Sequence, residues 1–115
     1  MSPDPAKTYR VLLVEDAFDQ ALLVKAFLSS TGDYEVTHSQ DGDHAVELLH
    51  SQKWDIVITD LDLPGTDGFE VIRRARAKSV DLPVLATTGY TGSEFHEQAH
   101  RDGANDLLTK PLDKE

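Results

Sequence analysis

The chain has 115 residues, no cysteine and a formal charge of −10, and these facts already narrow what it can be. One hydrophobic core fits that length without staples, and the missing cysteines exclude disulfides and thiolate-based zinc or redox sites. The acidic balance argues against direct nucleic-acid binding, which needs a basic face. No apolar run approaches the roughly 20 residues that span a bilayer. The start, Met1-Ser2-Pro3-Asp4-Pro5-Ala6-Lys7, carries no apolar signal core. The expectation is a cytoplasmic chain with no membrane partner.

Residues 1–8 read as a disordered lead, and residues 9–115 as one domain. Tyr9 to Val14 is a buried strand that ends in Glu15-Asp16. Ala17 to Ser29 is a helix. Phe18, Leu22 and Ala26 form one apolar stripe, with Ala21, Val24 and Leu28 beside it. Tyr34 to Ser39, with more polar residues, reads as an edge strand. Asp41-Gly42-Asp43 opens a second helix containing Ala45, Val46, Leu48 and Leu49. Trp54 to Thr59 follows, and its continuous Ile56-Val57-Ile58 run suits a strand covered on both faces. Asp60 ends that run, and Pro64-Gly65 turns the chain. Asp67 and Glu70 have the spacing of a capping box opening a third helix, Gly68 to Lys78.

Leu82 to Thr87 is a fourth strand, with Pro83 tolerated near its start. Thr91-Gly92-Ser93-Glu94 caps a fourth helix that stops at Gly103. Asp106 to Thr109 is a short fifth strand before Lys110-Pro111. Strands alternating with helices of this length imply parallel pairing through helical crossovers. The predicted fold is therefore α/β with a doubly wound five-stranded parallel sheet.

In such a sheet, function collects beyond the carboxyl ends of the strands. Those ends here supply Glu15 and Asp16, Asp60 and Asp62, Thr87 or Thr88, and Lys110. Each has an ordinary structural reading taken alone: a turn or cap for the acids, a turn hydroxyl, a solvated strand-end lysine. Together they are harder to explain away. Like charges gathered at one edge are costly unless a cation compensates. All-oxygen ligands with open positions suit Mg²⁺. A lysine and a hydroxyl opposite the metal suit phosphoryl oxygens. The chemistry indicated is phosphoryl transfer to a carboxylate.

Four segments in order resemble the receiver domain of two-component response regulators. They are Val11-Leu12-Leu13-Val14-Glu15-Asp16, Asp60 to Gly68, Pro83-Val84-Leu85-Ala86-Thr87-Thr88-Gly89, and Gly103 to Pro111. The resemblance implies strand order 2-1-3-4-5 in a flavodoxin-like three-layer sandwich. It implies Asp60 as phosphoacceptor, and Mg²⁺ held directly by Asp16, with Asp60 and the backbone carbonyl of Asp62 as further ligands and Glu15 holding it through water or in support. Thr88 and Lys110 would bind the phosphoryl group, with Pro111 often cis in the family. The donor would be a histidine kinase or a histidine phosphotransfer protein. The domain would be a switch that also hydrolyses its own phosphate, not an enzyme of metabolism.

Two departures from the family pattern stand out. The aromatic residue usual three positions before the lysine is Leu107 here, and Tyr90 is a candidate substitute. The family's fifth helix is missing or truncated, since only five residues follow Lys110. The expectation is the N-terminal part of a longer protein with a downstream output domain, or a homodimer partner over the open face.

Other readings of the same residues compete. Asp60-x-Asp62 also resembles the first motif of haloacid-dehalogenase-like phosphatases, with a nucleophilic and an acidic aspartate. That motif normally follows the first strand, with its other acidic ligands later in the chain. A phosphorylation-independent binding module is a further alternative. His96-Glu97-Gln98-Ala99-His100 matches the H-E-x-x-H zinc pattern literally, but no third ligand is well placed after it, and a solvated helix face is the reading adopted. His38, His44 and His50 show no ligand spacing.

Overall fold

A computed structural model of the chain describes residues 8–89 and 92–110. The expected lead, apart from Thr8, lies outside these residues, as do Tyr90 and the segment from Pro111 onward. The elements in order are β1 (Tyr9–Val14), α1 (Phe18–Ser29), β2 (Tyr34–Ser39), α2 (Gly42–Ser51), β3 (Ile56–Asp60), α3 (Gly68–Lys78), β4 (Val84–Thr88), α4 (Ser93–Asp102) and β5 (Asp106–Thr109). The five strands form one parallel sheet in the order β2-β1-β3-β4-β5. The predicted fold class and order hold, and the polar β2 is indeed an edge.

Strand order and the handedness of crossovers together set the layers. The chain leaves β1 in one direction to reach β2, then returns past β1 to β3 and continues outward. With one crossover hand, that reversal puts α1 on one face and α2, α3 and α4 on the other. Side-chain alternation follows the same division. Leu12, Val14, Val57, Val84, Ala86 and Leu107 point into the core under α2, α3 and α4, whereas Val11, Leu13, Ile58 and Leu85 point toward α1.

The first helix corrects one expectation. Its buried stripe is Ala21 with the half-buried Val24 and Leu28. Phe18, Leu22 and Ala26 face solvent, with Phe18 59% exposed. This helix is apolar on several sides, so periodicity alone did not say which stripe packs. It lies over β1 and β2, and the far half of that sheet face is left without a helix among the described residues. Leu108, which alternates toward that side, is 42% exposed, and Phe27 is 72% exposed.

The helix ends follow local chemistry. Asp41 caps α2 by accepting from the His44 amide at 2.8 Å. Asp67 caps α3 by accepting from the Glu70 amide at 3.0 Å. Only that half of the predicted capping box forms. The Glu70 carboxylate turns instead to Arg73 and Arg74, at 2.6 and 2.7 Å. The α4 N-cap is Gly92, inside the expected capping segment, with no side-chain bond. Gly103 ends that helix in the left-handed region, φ 119°.

Gly68 shows how tightly α3 abuts β3: a Cβ there would lie 2.0 Å from the Asp60 carbonyl oxygen and 2.5 Å from the Leu61 Cα. Gly89 has open space around the same position. Gly68→Ala is therefore expected to cost about 1–3 kcal/mol through forced backbone displacement, lowering Tm by at least ~4 °C. Gly89→Ala should be nearly neutral in the same thermal melt followed by circular dichroism. Equal melts for the two variants would contradict this packing.

Candidate functional site

The point where the sheet order reverses lies between β1 and β3, the place where sheets of this kind form their ligand crevice beyond the strand ends. Asp60 is the last residue of β3 and is only 3% exposed. Its carboxylate is held from two directions. Lys110 Nζ donates to Oδ2 at 2.9 Å, and the Asp62 amide donates to Oδ1 at 3.2 Å. Glu15, just after β1 and also 3% exposed, receives Lys110 Nζ at 2.9 Å on Oε1. The Ala17 amide donates to Glu15 Oε2 at 3.1 Å, so the same carboxylate serves the start of α1.

Backbone pairing fixes the other side of the crevice. Asp60 is in register with Thr87, and the Leu61 amide donates to the Thr87 carbonyl at 2.9 Å. Thr88, the last residue of β4, is fully buried. The Lys110 amide donates to the Thr88 carbonyl at 2.7 Å. Lys110 thus sits one residue beyond β5, with its stem directed across β4 toward β1 and β3. All of the predicted strand-end residues gather at one edge of the sheet.

Glu15, Asp16 and Asp60 each offer an oxygen, and these oxygens lie within 4.8 Å of one another. Among the described residues no other group of three or more ligand-type side chains comes together in this way. The donor set fits a hard divalent cation. It is all oxygen, it comes from two adjacent strands, and Asp16 is exposed, which leaves the cation side open to water. His96 and His100 share α4 and belong to no such group. Asp62 is exposed, so its side chain does not join the buried pair.

The electrostatics follow from burial. Burial pushes the Glu15 carboxyl above its ordinary value, although the Lys110 and Ala17 hydrogen bonds work against that rise. For Lys110, burial acts to lower the ammonium, but hydrogen bonds to Asp60 and Glu15 outweigh it and its pKa is raised. The lysine therefore stays charged and neutralises part of the carboxylate cluster. Leu107, at the place of the usual aromatic, is 8% exposed and packed in the main core.

Some supporting residues were not legible in the sequence. His38 Nε2 donates to the Glu15 carbonyl oxygen at 2.7 Å, and the Glu15 amide donates to the Ser39 carbonyl at 3.0 Å. Asp43, on α2, accepts from the Thr66 amide at 3.2 Å in the loop after Asp60. Each joins residues about 23 positions apart, which no local spacing signals.

Known proteins share this fold. The profile of the response regulator receiver domain family matches residues 11–115. The cell cycle response regulator CtrA of Brucella ovis is 34% identical over 106 residues, covering 92% of this chain and 45% of CtrA. The chain thus spans about half the length of those relatives. A receiver domain of a sensor histidine kinase from Pseudomonas aeruginosa, solved with magnesium ion coordinated in its active site cleft, is 34% identical with a TM-score of 0.81. That match covers 91% of this chain and 87% of the other. A Burkholderia pseudomallei response regulator carrying a phosphorylated aspartic acid and a calcium ion is 28% identical with a TM-score of 0.84, covering 91% of this chain and 61% of that one. With a family profile spanning nearly its whole length, and a curated relative above 30% identity over nine-tenths of it, this chain belongs to the response regulator receiver domain family.

Proposed function

We propose that Asp60 is the phosphoacceptor of a two-component phosphorelay and that Mg²⁺ is held by Glu15, Asp16, Asp60 and the Asp62 carbonyl. The observation that carries this reading is the Asp60 carboxylate itself. It is buried at the end of β3, held at 2.9 Å by Lys110 and gathered with two further acids. When bound, the cation offsets charge on the transferring phosphoryl group. Asp60 attacks the phosphorus of a phosphohistidine on a histidine kinase or phosphotransfer protein. A carboxylate oxygen–phosphorus bond forms, the phosphorus–nitrogen bond breaks, and the imidazole nitrogen keeps the electron pair.

Lys110 then serves the phosphoryl oxygens that displace its present contact, and the Thr88 hydroxyl binds another. Water later attacks the phosphorus, releasing inorganic phosphate and restoring the Asp60 carboxylate. The phosphorylated site shifts the balance between two arrangements of the loops after β3 and β4. Self-phosphorylation and self-dephosphorylation are its only chemistry on this reading, which takes the chain as a cytoplasmic switch and not as a phosphatase. The greater length of the CtrA relatives supports a longer polypeptide with an output domain, of which this is the receiver.

Asp60→Asn is expected to abolish labelling by phosphoramidate or acetyl phosphate while leaving the circular dichroism spectrum unchanged. Labelling at the native level would exclude Asp60 as acceptor. Asp16→Asn should shift the Mg²⁺ dependence of labelling to about 10-fold higher concentration or more, and an unchanged metal titration would remove it from the ligand set.

Lys110→Ala leaves Glu15 and Asp60 without their shared cation. The expected loss is about 1–3 kcal/mol, below the figure for a fully buried pair because the lysine is partly exposed. Its pH dependence has a definite sign. Burial already holds the Glu15 carboxyl above its ordinary value in the folded chain, and losing the lysine raises it further. A carboxyl raised on folding is destabilising where ionised, and the penalty fades as it takes up a proton. The deficit measured by urea denaturation should therefore be largest near neutral pH and shrink as the pH falls toward the ordinary glutamate value of about 4.3. A deficit that grows on acidification would contradict the assigned role of Lys110.

A further inference from the structure

The loop between β3 and α3 is tied down at both ends by its own neighbours. The Leu61 amide donates to Thr87, the Asp62 amide to Asp60, and the Gly68 amide to the Leu61 carbonyl at 3.2 Å. Its middle, Pro64 to Thr66, is held from α2. The Gly42 amide donates to the Pro64 carbonyl at 3.4 Å. The Thr66 amide and the Thr66 hydroxyl both donate to Asp43 Oδ1, the amide at 3.2 Å. The approach leaves no room for adjustment: a Cβ on Gly42 would lie 1.6 Å from the Thr66 carbonyl oxygen. Gly65, at φ 73°, places its α-carbon against the Asp43 carboxylate, 2.9 Å from a Cβ position.

Asp43 is not the cap of its own helix. Asp41 already caps α2 by accepting from His44. The Asp43 carboxylate lies in the first turn, where the helix dipole favours an anion, and the two hydrogen bonds accepted by its Oδ1 both come from the loop. The loop it holds carries Asp62, two residues after the phosphoacceptor. We propose that Asp43 is a positioning residue for the metal site: it fixes Thr66, and through the short span back to Asp60 it presets the Asp62 carbonyl before the cation arrives. Preset ligands lose less conformational entropy on binding, and outer contacts of this kind typically affect metal affinity by about 10–100-fold. The inference rests on the reading of Asp62 as a carbonyl ligand.

The hydrogen bonds, and not the charge, carry the effect. An asparagine at position 43 retains a carbonyl oxygen for both Thr66 donors and lacks the anion; an alanine has neither. The experiment compares native chain, Asp43→Asn and Asp43→Ala, with the same two readouts. The first is amide hydrogen exchange at Thr66 in the metal-free chain, and the second is Mg²⁺ affinity from amide chemical-shift titration. Asp43→Ala is expected to exchange Thr66 at least ~10-fold faster and to bind Mg²⁺ about 10-fold more weakly. Asp43→Asn should stay within ~2-fold of the native chain in both, with the β1 and β3 amides equally protected in all three. Native affinity in Asp43→Ala, or an Asp43→Asn variant as weak as Asp43→Ala, would overturn the positioning role while leaving the metal site standing. Absence of saturable Mg²⁺ binding by the native chain would overturn the site reading and this inference with it.

Discussion

Everything at the strand ends depends on one electrostatic constraint: Glu15 and Asp60, both 3% exposed, face the same lysine. Two buried carboxylates so close are unstable without a cation. Lys110 supplies one at 2.9 Å to each, and its own backbone is pinned to Thr88 on the neighbouring strand. The fold therefore has to bring β1, β3, β4 and the end of β5 into one register for the charges to balance. Conversely, the charge cluster rewards that register over its alternatives. Stability and the proposed chemistry share the same three side chains, Glu15, Asp60 and Lys110.

That constraint also explains which parts of the molecule were legible from residues alone. A buried β-branched run such as Ile56-Val57-Ile58 can do little except form an interior strand. Parallel strands then send their carboxyl ends to one edge, so Asp16, Asp60, Thr88 and Lys110 meet there as the order of the elements requires. The face of α1 was not legible. Phe18, Leu22, Ala21 and Leu28 are all apolar, and only the position of α1 over β1 and β2 decides that Ala21 is buried and Phe18 is not. The second half of the expected capping box failed for a different reason: Arg73 and Arg74 lie one turn away and compete for Glu70 with full charges. Contacts such as Asp43 with Thr66 join exposed polar residues far apart in sequence, where neither periodicity nor composition leaves a trace.

The two faces of the sheet are unequal in depth. The core under α2, α3 and α4 runs from β1 through β3 and β4 to β5 and includes Leu107, where the family usually carries an aromatic ring. A branched aliphatic side chain packed there has no large ring to swing between solvent and interior. If the proposed switch moves the loops after β3 and β4, other contacts have to read it; among the described residues Phe69 stacks with Phe95 at 6.3 Å and joins α3 to α4. The other face is covered only over β1 and β2, so Leu108 and Phe27 stay open to whatever lies beyond the described residues.

The single tryptophan has a consequence for how this protein can be watched. Trp54 stands just before β3, buried, with its Nε1 donating to the Leu48 carbonyl at 2.9 Å and the Arg10 guanidinium 4.6 Å from the ring centre. Asp60 is at the far end of β3, at most roughly 20 Å away for an extended chain rising about 3.3 Å per residue. Intrinsic emission therefore reports the integrity of the sheet's amino-terminal edge, where quenching and polarity change only when β1, α2 and β3 come apart. It is a gauge of folding that is blind to events at the acidic crevice, and an optical signal for those events has to be introduced from outside.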